Sequence, residues 1–421
     1  MYLRPWQAVF IVVAVTCVLT FAEIPRATWP TTAALSLALG ASAFALMGTA
    51  ALLGGRLRFV ESALGGLDRV YLTHKWMAVW ALAFASFHLV FQAELKEWDL
   101  APILSLPRHH TRLVRQLSFV ALMVIVLLAL NRRIPYGTWR LWHKTSGPLF
   151  LIVVAHWLSI RSPIELSSPA GIWLGVIATA GVAAAFYKLL LYPFFADHAN
   201  YRVVNVSPGP AGVHLQLAPV KRPIEFRPGQ FGFLRIKEEG LREPHPFTIA
   251  SGAGGEGHVH FVIRDLGDYT HRLVRNTTPG MYAEIYAPFG RFLRPVDAQR
   301  EVWIAGGVGI TPFLAWLSDE AGRNFDRVTF FYFFTPGREF PKAERVAELA
   351  SRRGVELVPV STGPASPEFI DRFRAIVSEA GAAAVRISFC GPQGLLREVQ
   401  ARMRENGVPE RNLHFEYFEF R

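Results

Sequence analysis

Apolar residues are concentrated in the first half of the chain, in runs separated by short polar segments. The six runs cover residues 6–22, 32–53, 75–93, 114–130, 148–160 and 170–192. A helix needs about 20 apolar residues to cross a hydrocarbon core of about 30 Å, and most of these runs approach that length. The first run has the length of a signal peptide, but no clear small-residue cleavage site follows it and five more runs do. The pattern therefore predicts a bundle of six transmembrane helices over residues 1–195.

Basic residues in the short loops predict the orientation of this bundle. With a cytoplasmic N-terminus, the inner loops contain Arg56, Arg58, Arg69, Lys75, Arg132, Arg133, Arg140 and Lys144. The opposite loop at 94–115 carries four basic residues of its own, so the bias is partial. Because basic loops favour the cytoplasmic side, we expect the N-terminus and everything after residue 195 to be cytoplasmic. The expected location is the plasma or inner membrane.

Two of the apolar runs begin and end with histidine. His74 and His88 bracket HKWMAVWALAFASFH, and His143 and His156 bracket HKTSGPLFLIVVAH. A helical rise of 1.5 Å per residue places the members of each pair about 20 Å apart. Both helices are predicted to run outward, so His74 lies level with His143, and His88 with His156. A single histidine in such a helix is more often a hydrogen-bonded core residue, but two matched pairs are typical of the axial ligands of two haems.

The two pairs differ in spacing. Fourteen residues are close to four helical turns, so His74 and His88 share a face. Thirteen residues are not a whole number of turns, so His156 is rotated away from His143. Gly147-Pro148 lies between them, and we expect a proline kink to correct the phase.

After residue 195 the pattern changes to short alternating strands separated by Pro and Gly, which is typical of a small antiparallel barrel. HPFTIAS at 245–251 and FVIRDLGDYT at 261–270 lie in this part. An aromatic residue followed by a hydroxyl suits a flavin ring, and Arg264 with the Thr270 hydroxyl suits a pyrophosphate. Either string alone is equally compatible with ordinary barrel sequence. We predict a β-barrel domain over residues 196–297.

From residue 298 the pattern becomes strand, turn and helix, in EVWIAGGVGITPFLAWL. Closely spaced glycines let backbone N–H groups approach an anion at a helix N-terminus. The string is not G-x-G-x-x-G, and an ordinary strand-to-helix turn is the alternative. RVTFFYFFTP and RISFCGP continue the alternation of strands and helices. We predict an α/β nucleotide-binding domain over residues 298–421.

Composition narrows the range of functions. The formal net charge of +11 suits anionic lipids and anionic cofactors, but no basic run with interleaved aromatics indicates a nucleic-acid partner. Cys17 and Cys390 are the two cysteines, too few for a disulfide framework. The sequence has no calcium-loop pattern and no long regulatory tail, so we expect no obligatory cytosolic activator.

The order of these motifs resembles that of the NADPH oxidase and ferric reductase superfamily, in its compact single-chain prokaryotic form, over nearly the whole chain. The resemblance implies a six-helix transmembrane bundle followed by a ferredoxin-reductase-like module. That module has an antiparallel β-barrel for FAD and an α/β domain for NADPH or NADH. The implied cofactors are FAD, two b-type haems and the nicotinamide nucleotide.

The resemblance also implies roles for matching residues. His74 with His143 would ligate the inner haem, and His88 with His156 the outer one. The residues implied to line FAD are His245, Pro246, Phe247, Thr248, Arg264, Gly267, Asp268 and Thr270. The residues implied to hold the pyrophosphate of NAD(P)H are Gly306, Gly307, Gly309, Thr311 and Pro312. The residues implied near the nicotinamide are Cys390, Gly391 and Pro392. A C-terminal aromatic would cover the flavin, and we favour Phe420 over Phe418.

The implied reaction carries electrons from cytosolic NAD(P)H through FAD and two haems to dioxygen outside, with superoxide as product. Animal oxidases of this family have an arginine on the second helix near the oxygen site, whereas residues 32–53 contain no Arg or Lys. Reduction of a ferric chelate is therefore the second candidate, with Gln92 and Arg161 as other polar contacts to the acceptor. A haem-binding redox sensor is the third, although a sensor needs no hydride donor. Thr335 and Arg338 are candidate contacts to a 2′-phosphate, which leaves NADPH and NADH both open.

Overall fold

The computed structural model describes residues 3–91, 93–131, 133–134, 136–254, 256–295, 298–339 and 341–416. These residues form two compact units, of which the first extends to Phe195 and the second comprises Ala196–Glu416. The first unit is helical. The second contains two β-sheets.

Helices of the first unit occur at all six predicted positions. The bounds are α1 Pro5–Ala22, α2 Thr32–Gly54, α3 Arg58–Leu64, α4 Leu67–Val90, α5 Arg108–Leu130, α6 Tyr136–His143, α7 Ser146–Ser159, α8 Pro169–Phe186 and α9 Tyr192–Phe195. A π-helical turn, Tyr187–Leu191, connects α8 to α9. The third and fourth predicted helices begin earlier than expected, because their first turns contain charged residues that the apolar pattern leaves out.

Three helical segments in the described residues are long and apolar enough to cross a membrane by themselves: Pro5–Ala22, Thr32–Gly54 and Pro169–Phe195. Helix α4 contains Asp68, Arg69 and Lys75, and α7 has only 14 residues. The count of six membrane spans therefore stays a prediction.

Helix α2 is the centre of the bundle and packs on α1, α4 and α8. Small residues make this possible, because a Cβ on Gly181 of α8 would lie 2.8 Å from the Gly48 carbonyl oxygen of α2. The Phe150 ring of α7 fills the space beside these glycines and contacts Phe44 at 5.9 Å between centroids. Helix α2 thus packs against α4 and α7, two of the helices that carry the candidate histidines.

The structure separates His143 from His156 by a break between two helices, and the predicted proline kink is wrong. Helix α6 ends at His143, and α7 begins at Ser146 after a turn at residues 144–145. Pro148 lies in the first turn of α7, where a proline interrupts no helical hydrogen bond. The two histidines belong to different helices, so the 13-residue spacing imposes no common helical phase.

The first sheet of the second unit is antiparallel and has six strands in the order β4-β3-β6-β1-β2-β5. Their bounds are β1 His198–Gly209, β2 Gly212–Pro219, β3 Phe231–Ile236, β4 His245–Thr248, β5 Val259–Arg264 and β6 Tyr282–Phe289. A bridge between Ile249 and Phe261 joins the two ends of the strand order, so the sheet closes into a barrel. Alternate apolar residues fill its interior, and α10, Asp268–Asn276, follows β5.

The second sheet is parallel, with the order β11-β10-β7-β8-β9. Its strands are β7 Arg300–Gly306, β8 Val328–Phe333, β9 Glu356–Val360, β10 Val385–Cys390 and β11 Leu413–Phe415. Its helices are α11 Thr311–Ser318, α12 Ala343–Arg352, α13 Pro367–Ala380 and α14 Gln393–Glu405. Every residue of β8 is buried, as expected for a parallel strand covered on both faces. Strand β7 lies beside β10, which brings the carboxyl ends of both strands to one place.

Candidate functional site

The inner histidine pair is formed by α4 and α6. The rings of His74 and His143 lie 5.8 Å apart between centroids, with 76° between their planes. His74 Nδ1 donates to the Ala50 carbonyl oxygen of α2 at 2.8 Å, which leaves Nε2 as the nitrogen available to a ligand. The Trp139 ring stacks on His143 at 5.1 Å. Metal-binding histidines almost always use their second ring nitrogen in such a hydrogen bond.

The outer pair has the same kind of support. His88 Nδ1 donates to the Ser36 carbonyl oxygen of α2 at 3.0 Å and lies 3.2 Å from the Ser36 hydroxyl. Gly40 makes room for this ring, since a Cβ there would lie 2.6 Å from Nδ1. His156 of α7 lies within electrostatic range of His88.

The other two histidines present buried ring nitrogens. Nδ1 of His143 and Nδ1 of His156 are buried and have no hydrogen-bond partner among the described residues. An unsatisfied buried polar atom costs about 1–3 kcal/mol, so each ring is suited to a bound group. In the described part of the chain no three His, Cys, Asp or Glu side chains converge as a metal site. Two imidazoles facing one ion are a fitting axial set for haem iron.

The predicted flavin motif HPFT forms strand β4, which is the first strand in the spatial order of the barrel sheet. The ring of His245 stacks on Tyr269 with 3.6 Å between centroids and 7° between planes. Thr248 is buried, and Phe247 packs its edge against Phe261 inside the barrel. Tyr269 lies within the second flavin motif, so stacking joins the two motifs. Sequence reasoning did not single out this tyrosine.

The second flavin motif turns from β5 into α10. The Thr270 hydroxyl accepts hydrogen bonds from the backbone N–H groups of Leu266 and Gly267, both at 3.0 Å. Thr270 thus shapes the loop whose N–H groups and helix N-terminus favour an anion. Asp268 is the first residue of α10, and a Cβ on Gly267 would meet no described atom within 4 Å. The loop leaves open space where the predicted pyrophosphate would lie.

Arg264 belongs to the second flavin motif and lies near the glycine turn, Gly306–Ile310. Its Nε is buried and has no hydrogen-bond partner in the part of the chain that the structure describes. Its Nη1 would lie 3.3 Å from a Cβ on Gly307, which has a φ of +57°. A partly exposed guanidinium with a buried, unused donor is suited to an anionic ligand at this point.

The glycine turn and the CGP motif are in backbone contact. Cys390 pairs with Ala305 across the parallel strands β10 and β7. A Cβ on Gly306 would lie 2.7 Å from Pro392 Cδ, and one on Gly391 would lie 3.1 Å from Gly306 N. Both motifs therefore need glycine for packing. Ligands of open α/β sheets bind at this edge, the carboxyl ends of the strands.

The Cys390 thiol and the start of α11 complete this edge. Burial raises the pKa of Cys390 well above its ordinary value, and the nearby Glu416 carboxylate raises that pKa further. The thiol is therefore neutral at physiological pH. The Thr311 hydroxyl donates to the Val308 carbonyl oxygen at 3.0 Å, and Pro312 follows in the first turn of α11.

Arg115 of α5 is a site residue that sequence reasoning missed. Ser118, Leu122 and Val126, which follow it by 3, 7 and 11 positions, are buried and mark the inner face of α5. That spacing puts Arg115 on the same side of α5, at its N-terminal end, where the side chain is exposed. Its charge acts on His156, so Arg115 is near the outer pair. The helical spacing of these residues was a signal available in the sequence.

Other predicted contacts have different positions. Arg161 donates to the Leu100 carbonyl oxygen at 3.3 Å and thereby holds a loop. Gln92, Phe418 and Phe420 lie outside the described residues. Thr335 and Arg338 are exposed in the turn after β8, where Arg338 N donates to the Thr335 carbonyl oxygen.

Two parts of the chain match known families. Residues 39–154 match the family described as the ferric reductase like transmembrane component, and residues 199–289 match an FAD-binding domain family. The first match includes His74, His88 and His143, and ends two residues before His156. The second includes both flavin motifs.

Individual relatives are distant. NADPH oxidase 3 of Rattus norvegicus is 24% identical over 57% of this chain and 52% of its own length. The ferric/cupric reductase transmembrane component 7 of Saccharomyces cerevisiae is 22% identical over 67% of this chain and 46% of its own. The flavohem-like FAD/NAD-binding domain of the Vibrio cholerae nitric oxide dioxygenase is 22% identical, with a TM-score of 0.43 over 52% of this chain and 98% of that chain.

The chain spans less than two thirds of the length of the curated relatives it matches, from 26% to 63%. The two family matches nevertheless occur in the order in which the membrane and flavin modules were predicted. Relatives of both kinds, oxidases and ferric reductases, align with this chain. The chain thus combines a ferric-reductase-like transmembrane module with an FAD-binding domain, and these matches support its placement in the NADPH oxidase and ferric reductase superfamily.

Proposed function

We propose that this protein carries electrons across the cell membrane, from NAD(P)H on the cytoplasmic side to an acceptor outside. FAD and two b-type haems are the proposed carriers. The observation that supports this most is that His74 and His88 each have Nδ1 held by a backbone carbonyl of α2, which leaves Nε2 to face a ligand. In this proposal α1, α2, α4, α5, α7 and α8 span the membrane, and Ala196–Glu416 lies in the cytoplasm.

The nicotinamide nucleotide is proposed to bind at the carboxyl ends of β7 and β10. Its pyrophosphate is expected on the turn Gly306–Ile310, where backbone N–H groups and the N-terminus of α11 attract an anion. Cys390 would contact the nicotinamide. Because the pKa of its thiol is raised by burial, Cys390 does not act as a base at neutral pH.

FAD is proposed to lie along β4 and the loop before α10. Arg264 and the loop N–H groups shaped by Thr270 would hold its pyrophosphate, while Phe247 and Thr248 would face its ring system. FAD held there would supply the conversion of a two-electron donor into one-electron transfers. The protein contributes position, charge and exclusion of water.

The acceptor is proposed to be dioxygen at the outer pair. His88 and His156 would hold the haem there, and that haem would supply electrons one at a time to dioxygen. The expected product is superoxide. The positive charge of Arg115, which is exposed on α5 and within electrostatic range of His156, favours an anionic product at this end of the bundle.

Reduction of a ferric chelate by the same electron path is the alternative. Helix α2 contains no Arg or Lys, unlike the oxidases in which that helix provides an arginine. Arg108 and Arg112 are exposed in the first turns of α5, and exposed cations suit an anionic chelate.

The deciding experiment measures NAD(P)H oxidation by purified protein loaded with FAD and haem, coupled to cytochrome c reduction with and without superoxide dismutase. Cytochrome c reduction that superoxide dismutase suppresses, and that cyanide leaves unchanged, is expected for the oxidase. Fast reduction of ferric citrate with negligible oxygen use would assign the ferric reductase activity. Cyanide binding to the outer haem would contradict the ligation by His88 and His156.

A further inference from the structure

Helix α2 supports the two histidines of α4 from equivalent positions. In α2, Ala50 follows Ser36 by fourteen positions, which is also the spacing of the two histidines. His74 Nδ1 donates to the Ala50 carbonyl oxygen at 2.8 Å, and the Ser36 carbonyl oxygen accepts from the other histidine, His88, at 3.0 Å. Fourteen residues are close to four helical turns, so both rings meet the same side of α2. The two backbone supports therefore match, and the side chains of Ser36 and Ala50 differ.

The Ser36 hydroxyl adds a second contact at the outer pair. Its Oγ lies 3.2 Å from His88 Nδ1, and it donates its proton to the carbonyl oxygen of Phe91, just after the end of α4. The Ser36 carbonyl can only accept, so Nδ1 of His88 carries a proton and cannot accept one. The hydroxyl therefore accepts from this N–H, and a directed chain of hydrogen bonds runs from the His88 ring through Ser36 to Phe91.

The inner ring of α4 has one acceptor where the outer ring has two. Ala50 has a methyl side chain, so within the described residues its carbonyl is the acceptor for His74 Nδ1. Ser36 is fully buried, and therefore its hydrogen bonds are not exchanged for bonds to water. Gly40, one turn later on α2, leaves room for the outer ring, since a Cβ there would lie 2.6 Å from Nδ1 of His88. The hydroxyl and the ring thus meet in a closely packed site.

The second acceptor changes the chemistry of the ring. A hydrogen bond donated by one ring nitrogen of a histidine raises the basicity of the other nitrogen and fixes the orientation of the ring. A hydroxyl that donates its own proton elsewhere is a stronger acceptor, because hydrogen bonds in a chain polarise one another. The bond from Ser36 to Phe91 therefore strengthens the bond from His88. A more basic nitrogen stabilises the oxidised state of an iron that it binds, so these hydrogen bonds lower its reduction potential.

We propose that Ser36 is a positioning residue of the outer pair, and that its hydroxyl makes His88 a stronger ligand for haem iron. Its effect is to lower the reduction potential at the outer pair, so that an electron leaves more readily for the acceptor outside. The inner pair lacks this effect, because Ala50 stands at the equivalent position. This inference rests on the proposed function, because it requires a haem at His88 and His156.

The test is a redox titration of the purified full-length protein, loaded with FAD and haem b and followed through the haem spectra. Ser36→Ala removes the hydroxyl and keeps the backbone carbonyl, so we expect the outer midpoint potential to rise. A change of about threefold in the one-electron equilibrium is expected, which corresponds to about 28 mV at 59 mV for each factor of ten. The inner midpoint potential, identified in His88→Ala, should be unchanged.

Ser42→Ala is the matched control. Ser42 is also a fully buried serine of α2, and its hydroxyl lies 3.5 Å from the Cys17 sulfur, so this variant removes a hydroxyl that does not contact His88. It should leave both potentials as in wild type. Ser36→Cys fills the space of the hydroxyl with a weak acceptor and should shift the outer potential in the same direction as Ser36→Ala. It provides the test if the smaller side chain prevents folding, and retention of the inner haem shows that a variant is folded.

Haem affinity provides a second readout. When haem-free protein is titrated with haem b, Ser36→Ala should bind the outer haem about tenfold more weakly and the inner haem as wild type does. An unchanged or lowered outer potential in both Ser36 variants would overturn the inference, and so would equal shifts in Ser36→Ala and Ser42→Ala. A wild type without haem at the outer pair would instead overturn the proposed electron path, and this inference with it.

Discussion

A Cβ atom on Gly309 would lie 2.2 Å from the carbonyl oxygen of Cys390. Residues far apart in sequence are thus in backbone contact, because β7 and β10 are neighbouring parallel strands. By contrast, Gly307 has a φ of +57° and would place a Cβ near Arg264 Nη1, at 3.3 Å, and away from any backbone. The two glycines of one turn therefore have different physical reasons to be glycine.

Replacing these glycines should have different effects. Gly309→Ala has to displace the strand end, so we expect a stability loss of about 1–3 kcal/mol together with weaker nucleotide binding. Gly307→Ala should raise KM for NAD(P)H with a smaller stability loss of about 1 kcal/mol, from the left-handed backbone. KM is measured by steady-state kinetics, and stability by thermal melting followed through flavin fluorescence.

Gly354→Ala is the matched control for backbone strain. The φ of Gly354 is +71°, and a Cβ there would meet no described atom within 4 Å, so this variant tests the conformation alone. It should lose about as much stability as Gly307→Ala and keep the KM of wild type. An unchanged KM in Gly307→Ala would show that the glycine turn does not hold the nucleotide.

The second prediction concerns haem content. His88→Ala is expected to lose the outer haem and to keep the inner haem and flavin reduction, because the two pairs use different residues. Haem is counted per chain from the pyridine haemochrome spectrum, with two expected in wild type. His109→Ala, an exposed histidine of α5, should retain both. A wild type that holds one haem when fully loaded would contradict the two-pair arrangement.

The third prediction concerns Arg115. Arg115→Gln removes positive charge near His156, so superoxide formation should fall several-fold at unchanged KM for NAD(P)H and unchanged haem content. Lys96→Gln removes an exposed charge from the preceding loop and should behave as wild type. Equal loss of rate in both variants would indicate a general surface effect, which high salt would screen.

The fourth prediction concerns FAD retention. Thr270→Val removes the hydroxyl that accepts from two loop N–H groups, at a cost of about 1–1.5 kcal/mol. FAD affinity should fall about tenfold, and Thr270→Ser, which keeps the hydroxyl, should restore most of it. Affinity is measured by titrating flavin-free protein with FAD. Equal loss in both variants would show that the hydroxyl alone does not account for FAD retention.

The fifth prediction is a pH dependence in the barrel. Burial, followed by the charges of His214 and His258, lowers the pKa of His260 from 6.5 to about 4. Between these values the unfolded chain binds a proton that the folded chain does not, so stability falls as the pH drops from 6.5 to 4. In His260→Gln the melting temperature should decline less over that window. Equal declines in variant and wild type would show that His260 is not responsible.

Much of the fold was predictable because it depends on neighbouring residues. The apolar runs predicted helices at the positions of α1, α2, α4, α5, α7 and α8, and the change to alternation predicted the antiparallel sheet. Helix starts were less accurate, since Arg108 and Asp68 lie in helical turns without apolar periodicity. Hydrophobic periodicity marks the buried part of a helix and is silent on its polar ends.

The sequence by itself determined the types of the elements, the order of the motifs and the four candidate histidines, because each follows from residue type and short spacing. Only the tertiary structure decided how His74 and His88 are held, by the Ala50 and Ser36 carbonyls of α2, 24 and 52 positions earlier in the chain. It also placed a helix break, not a proline kink, between His143 and His156. The physical reason is that hydrogen bonds to backbone carbonyls and contacts between glycines depend on how helices and strands pack, and side-chain identity at those positions carries almost no record of it.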